Sequence, residues 1–277
     1  MEYAAQQLFG SAVAYYARYR AGYPQGLVDT LAAKTGLDGT QRVLDIGCGT
    51  GQMTIPLARH AHAILAIDPV ADMLARGREA AQAAGAGNIT WLQGDSSQIA
   101  ALAGPGADLA VFAASFHWTD RAVVLAALDG VLAPGGYVVV VNDILGDSEE
   151  PDWVRAIARI RARYLGTRRR AGMDVYRHRD VLASSAFRAV DTLTWSWSRQ
   201  LTVEEVTGLQ LSYSFSTPTL LGDSARAFRS DVRAAVLGLH RAGVVTEPLR
   251  VEVLIAARPS ISTSRSSTTT APSPRPR

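Results

Sequence analysis

The chain has 277 residues, 48% hydrophobic and 19% charged, enough apolar mass for one sizeable core or for one core with a cap. Its formal net charge of +3 equals the contribution of Arg265, Arg275 and Arg277, so residues 1–258 balance to zero, a poor match to a nucleic-acid groove. A single cysteine, Cys48, excludes an internal disulfide and any multi-cysteine metal site, and no stretch stays apolar for the roughly eighteen residues of a membrane span.

The first twenty residues lack the basic start and apolar run of a secretory signal, so a cytoplasmic protein is expected. Residues 11–34 place apolar side chains at helical spacing, interrupted at Arg20-Ala-Gly-Tyr-Pro24. Short apolar runs then alternate with amphipathic segments. Strands are expected at Arg42–Ile46, Ala63–Ile67, Ile89–Leu92, Asp108–Phe112 and Tyr137–Asn142, and helices at Met53–His60, Ala71–Ala84 and Arg121–Leu132, with a turn at Pro134-Gly-Gly136. This alternation implies βαβ units and a doubly wound, mostly parallel sheet covered on both faces. Pro151–Leu165, Val203–Leu211 and Asp223–His240 have helical patterns, and Thr167–Asp180 is dense in arginine. Ala189–Ser198, with Leu193, Trp195 and Trp197 on one face, and Leu249–Ala257 are expected to add antiparallel strands at the sheet edge. Residues of about 145–188 and 202–222 would cap its open end. The Ser/Thr/Pro-rich tail from residue 259 cannot bury a core and is expected to be disordered. Lys34 is the sole lysine, and the heavy use of arginine and alanine points to a GC-rich genome.

The most informative stretch is Val43-Leu-Asp-Ile-Gly-Cys-Gly-Thr-Gly-Gln52: a buried strand ending in an acid, then Gly47, Gly49 and Gly51 opening a helix. Glycines there let the backbone turn tightly and approach a ligand. A dinucleotide site would need a third glycine where Gln52 stands, and Asp45 would repel a pyrophosphate; an acid at that place suits a cationic ligand. VLDIGCGTG resembles the first motif of class I S-adenosylmethionine-dependent methyltransferases, and later segments fall in that family's order. The resemblance covers residues 10–145 well and 146–258 in outline. It implies a seven-stranded Rossmann-like sheet with a helical cap, divided into an N-terminal lid (1–40), a cofactor-binding core (41–145), a cap with the closing strands (146–258) and the tail (259–277).

By the same resemblance Asp68, followed by Pro69, holds the ribose hydroxyls, Met73 touches the adenine, and Asp95, with Ser96, accepts from the adenine amino group. Asp95 has a second role open to it, capping the short helix that follows. Tyr16, Arg20 and Tyr23 resemble a segment that closes over the cofactor, where Arg20 either pairs with the methionine carboxylate or is a solvated helix-end charge. Cys48 is expected to pack rather than react.

On the acceptor side, Val111-Phe-Ala-Ala-Ser-Phe-His-Trp-Thr-Asp-Arg121 lacks the Asn/Asp-Pro-Pro-aromatic tetrad of base-modifying enzymes. Its FHWxDR pattern resembles a branch containing trans-aconitate-type and secondary-metabolite methyltransferases. That implies a small-molecule substrate, with no nucleic acid and no membrane, and a monomer or homodimer. Ala113 and Ala114 would line the cofactor, and Phe116 and Trp118 an apolar wall. His117 is the candidate base or substrate-orienting group, against a structural role at the next helix start. His178 is a second candidate against a solvated loop, and Tyr213 and Phe215 are candidate lining residues. No His/Asp/Glu grouping has metal-ligand spacing. A protein that keeps the cofactor for cyclisation or rearrangement is the rival reading, separated by whether S-adenosylhomocysteine appears with turnover.

Overall fold

Five apolar runs in the first half become parallel strands: β1 (Arg42–Ile46), β2 (Ala63–Asp68), β3 (Ile89–Gln93), β4 (Ala107–Ala113) and β5 (Leu132–Asp143). In the computed structural model, which describes residues 9–144, 150–166 and 177–259, β6 (Ala189–Thr202) and β7 (Val244–Ala257) complete a seven-stranded sheet. The order is β3-β2-β1-β4-β5-β7-β6, with β7 antiparallel to both neighbours. The order reverses between β1 and β4, where the carboxyl ends of an open α/β sheet leave a crevice for ligands.

Alternation along the strands builds two cores. Leu109 and Val111 of β4 pack with Val139, Val141, Val253 and Leu193 against α2 (Gln25–Thr35) and Leu57 of α3 (Thr54–Leu57). Ala110 and Phe112 face the opposite way, with Val138, Val140 and Leu254, against α5 (Ile99–Ala103) and α6 (Arg121–Val131). Between β2 and β3, α4 (Ala71–Ala83) packs Leu74 on Cys48 and Ala66. A third core belongs to the cap. There α7 (Asp152–Leu165), α9 (Val203–Leu211) and α11 (Ala225–Leu239) bury Trp153, Ile157, Val206, Phe228 and Val232, with Tyr15 and Tyr19 of α1 (Val13–Tyr19) packed against them.

Local differences from the sequence pattern have local causes. The helix expected over Met53–His60 is one short turn, α3, followed by the 3₁₀ segment Ala58–His60. Hydrogen bonds from Ile55 and Leu57 flank Pro56, which has no N–H to give. The turn at Pro134-Gly-Gly136 is a bulge inside β5: Leu132 pairs with Ala107 and Tyr137 with Leu109, and Gly135 takes φ 83°. Both late strands run longer than their apolar patterns, because each continues past the sheet body as a two-stranded ribbon.

The segment around His178 departs most. It is helix α8 (His178–Ala183), and with Leu182 and Phe187 it packs on the sheet core beside α6, not on the cap. Residues 167–176, including Arg168–Arg170, and the tail 260–277 lie outside the described residues. No helix among the described residues is long and apolar enough to cross a membrane.

Candidate active site

The glycine turn after β1 is held by the sheet, and at Gly47 and Gly51 it has no room for a side chain. Gly47 and Cys48 donate their N–H groups to the Ile67 carbonyl at 2.8 and 3.1 Å, folding the turn back over β2. Gly47 has φ 72°, and a Cβ there would stand 2.5 Å from the Ser115 Cβ. The hydroxyl of Ser115 donates to the Ile46 carbonyl at 2.5 Å, tying the loop after β4 to the end of β1. Gly49 is different: a Cβ would meet nothing nearer than the Tyr16 ring at 3.7 Å, so its outer side is the approach to the turn. Gln52, at the start of the following helix, borders the same space.

Three acids stand at consecutive strand ends. Asp45 is fully buried; its Oδ2 accepts from the Thr54 hydroxyl at 2.5 Å, and Oδ1 has no partner. Burial raises its pKa to about 7, against the pull of the Thr54 bond. Asp68 accepts from Gly49 N–H through Oδ2 and from Val70 N–H through Oδ1, each at 2.9 Å, so it braces the glycine turn while each oxygen keeps a lone pair. Burial raises its pKa too, with the two backbone bonds opposing. Asp95 is exposed and caps the 3₁₀ turn Ser96–Gln98, accepting from Ser97 N–H at 2.8 Å in a reciprocal capping box with Gln98. Pro69 is exposed, and its carbonyl accepts from Gln93 at 3.1 Å. Met73 is buried with Val13, Val70 and Tyr16. Cys48 is buried, and burial holds its thiol well above the usual range, as a packed and unreactive group requires.

Helix α1 lies across this turn. Tyr16 covers Gly49, and the Arg20 guanidinium sits over two rings, 5.2 Å from the Tyr16 centroid and 4.2 Å from that of Tyr213. Arg20 also donates to the Ser212 carbonyl at 3.4 Å, and its Nε is buried without a partner. A solvated helix-end arginine would show neither burial nor stacking, so that alternative is set aside. Tyr16, Arg20, Tyr23, Gly47, Cys48, Gln52, Ala113, Ala114 and Tyr213 share one cavity of about 90 Å³. Ala114, at φ 55°, is the only non-glycine residue with positive φ among those described, which marks the end of β4 as strained.

Other acceptor-side candidates fall elsewhere. Phe116 is fully buried and packs on Phe112 at 4.9 Å, so it belongs to the core and not to a substrate wall. Trp118 is 41% exposed and meets Phe9 edge to face. His117 lies in the 3₁₀ turn between them, tilted against Trp118, and does not line the cavity. His178 is buried against Phe116 and faces Arg121 at 3.3 Å, which corrects the solvated-loop expectation. Burial, with Arg121 and His117 nearby, pushes its pKa down to about 4, so it is neutral. Phe215 stacks on Tyr213 and takes Arg161 over its ring, outside the cavity lining.

Sequence patterning does not single out Asp143, Arg199 and Glu247, which also line the cavity, as do Ala21, Met53, Trp197, Leu209 and Leu249. Arg199 and Glu247 are cross-strand partners on β6 and β7, bonded at 2.5 Å. The period of two through Leu193, Trp195 and Trp197 carries on to Arg199 and was the available signal. Asp143 ends β5 and gives no such cue.

The residues present fit a ligand with both a cation and an anion. Asp45 Oδ1 is an unmet acceptor and Arg20 Nε an unmet donor, while Asp68 keeps acceptor capacity beside the open side of Gly49. Residues 43–136 match the family model described as a methyltransferase domain. The chain is 31% identical over 207 residues to an uncharacterized methyltransferase of Mycobacterium tuberculosis, covering 75% of this chain and 76% of that one. It is 36% identical over 97 residues to the tRNA 5-carboxymethoxyuridine methyltransferase of Escherichia coli, 34% of this chain and 37% of that one. Its fold is similar to that of an S-adenosylmethionine-dependent methyltransferase from Thiobacillus denitrificans solved with S-adenosylhomocysteine, with TM-score 0.52, 18% identity, and coverage of 92% of this chain and 100% of that one.

Proposed function

The chain belongs to the methyltransferase family and is an S-adenosylmethionine-dependent enzyme, and from that premise we propose that it methylates an oxygen, nitrogen or carbon of a small organic molecule in bacterial secondary metabolism. Bound S-adenosylmethionine supplies a methyl group made electrophilic by its sulfonium. In this reading the turn Gly47–Gly51 lies against the cofactor, Asp68 takes the ribose hydroxyls, and Asp45 and Arg20 take the ammonium and carboxylate of the methionine end. Asp95 and Met73 border the adenine side, and Ala113 and Ala114 the methyl. Residues 1–40 serve as lid, 41–145 as cofactor core, and 146–258 as cap and closing strands.

The observation that carries a small acceptor is the narrow, aromatic lining of the cavity. Its walls include Tyr23, Trp197, Leu209 and Tyr213, and α1 and α9 lie over it. A narrow aromatic space aligns a small nucleophile. A tRNA acceptor would need an open basic face instead, and the likeness to the tRNA enzyme spans only 97 residues. The FHWxDR resemblance supports the placement in secondary metabolism.

The test incubates the chain with S-adenosylmethionine and separate panels of small amines, alcohols, carboxylates and bulk tRNA, following S-adenosylhomocysteine. Its formation with a small-molecule panel is expected. Formation with tRNA alone would overturn the acceptor class. A rearranged product without S-adenosylhomocysteine would favour the cyclase reading.

A further inference from the structure

We infer that Asp143 holds the methyl acceptor and that the accepting group is an amine, an assignment that rests on the methyltransferase reading of the same cavity. Four charged side chains line that cavity: Arg20, Asp143, Arg199 and Glu247. Arg199 is engaged twice, by Glu247 at 2.5 Å and by the Tyr19 carbonyl at 2.8 Å, and Glu247 is neutralised in the same pair. Arg20 lies between two rings next to the glycine turn, where the cofactor carboxylate is assigned. Asp143 is left. Among the described residues no cation and no hydrogen-bond donor engages its carboxylate.

Its position follows from the strand. Asp143 is the last residue of β5 and alternates onto the face of Val139 and Val141, the face on which Trp197 packs. Its negative charge raises the pKa of Tyr23, second to burial, and that of Tyr16, behind burial and the opposing Arg20, in keeping with its place beside both rings in the cavity lining. A carboxylate with no partner among the described residues, lining one cavity with Tyr23, Trp197 and Tyr213, is the combination that binds an ammonium group, by charge-assisted hydrogen bonds and by the faces of the rings. An anionic acceptor would meet like charge there.

An ammonium has no lone pair and is repelled by the sulfonium. The acceptor therefore first gives one proton to solvent, which reaches the exposed Asp143 end of the cavity, and Asp143 orients the amine through its remaining N–H groups. The freed lone pair forms the new N–C bond as the C–S bond breaks and leaves its electrons on sulfur, so charge passes from sulfur to the methylated nitrogen. His117 does not line the cavity and is not needed for this step.

The test is calorimetric. The full chain, saturated with S-adenosylhomocysteine, is titrated with phenethylamine, 2-phenylethanol and phenylacetate, as wild type, Asp143→Asn and Asp143→Ala, with near-ultraviolet circular dichroism to confirm folding. The amine is expected to bind about tenfold more tightly than the alcohol, and both variants to lose that preference. Equal binding of amine and alcohol, tighter binding of phenylacetate, no binding of the amine, or an amine affinity unchanged in Asp143→Asn would each overturn the assignment. Failure of S-adenosylhomocysteine itself to bind would sink the cofactor reading together with this one, and is seen before any acceptor is added.

Discussion

Arg20 stands 4.2 Å over the ring of Tyr213, so the end of the first helix is bound to the cap by a side chain that also borders the glycine turn. The stacking orients the guanidinium and leaves its Nε without a protein partner. Arg20→Lys keeps the charge but loses the planar fork and the flat face. Its expected effect is a loss of about tenfold in S-adenosylhomocysteine affinity. Binding of 5′-methylthioadenosine, which lacks the amino-acid end, should stay within about twofold. Equal losses for both ligands in calorimetry would remove Arg20 from the carboxylate.

Asp68 braces Gly49 and Val70 through their N–H groups, and in the proposed reading its remaining lone pairs take the ribose hydroxyls. Asp68→Ala should weaken S-adenosylmethionine binding at least tenfold, about 1.4 kcal/mol. It should also destabilise the fold by roughly 1–3 kcal/mol, because two backbone donors lose their acceptor. Titration calorimetry and urea unfolding check the two effects separately; an unchanged affinity would end the ribose assignment.

Asp45 ties stability and binding to pH in opposite directions. Its pKa is about 7 in the fold, above its ordinary value of 3.8, so the folded chain binds the extra proton between those limits. This contribution to stability is complete below the ordinary pKa and is lost as pH rises to about 7. A cationic ligand group reverses the preference, since it favours the carboxylate. S-adenosylhomocysteine binding at pH 6 should therefore release a proton, read from calorimetry in buffers of different ionisation enthalpy. Asp45→Asn should abolish that release, weaken binding and leave the ligand-free chain at least as stable at pH 8.

Gly208 of α9 touches α1. A Cβ at this position would overlap the Tyr19 ring, so Gly208→Ala must push the two helices apart. The predicted result is a chain that keeps its sheet, seen by far-ultraviolet circular dichroism, but binds S-adenosylhomocysteine several-fold more weakly. Faster amide hydrogen exchange over residues 9–20 would locate the change; exchange unchanged there would show that α1 tolerates the methyl group.

The parallel half of the sheet was legible because its strands are short apolar runs, and β1, β2, β3 and β5 end at Gly, Asp or Pro, a signal local in sequence. The glycine turn was legible for the same reason: Gly47, Gly49 and Gly51 sit within six residues of Asp45. The acceptor side was not. Phe116, His117 and Trp118 are adjacent in sequence, yet a 3₁₀ turn sends Phe116 into the core and Trp118 to the surface. The lining comes instead from Tyr23, Leu209 and Tyr213 together with β5, β6 and β7, whose register is fixed only when the strands pair, and a side chain such as Arg199 takes its meaning from Glu247 opposite. Periodicity could place His178 in neither core nor loop, because one polar residue on a short helix does not alter the pattern that buries Leu182.

Helix α1 is fastened at three points: Arg20 to Ser212, the Tyr19 carbonyl to Arg199, and Ser11, just before it, to Thr219. Each fastening joins it to the cap or the β6–β7 ribbon, and Tyr16 beneath lies on the turn itself. With α1 as the proposed lid, exchange of ligands is expected to require these ties to open together, so that turnover would fall with solvent viscosity and change little with the nucleophilicity of the acceptor.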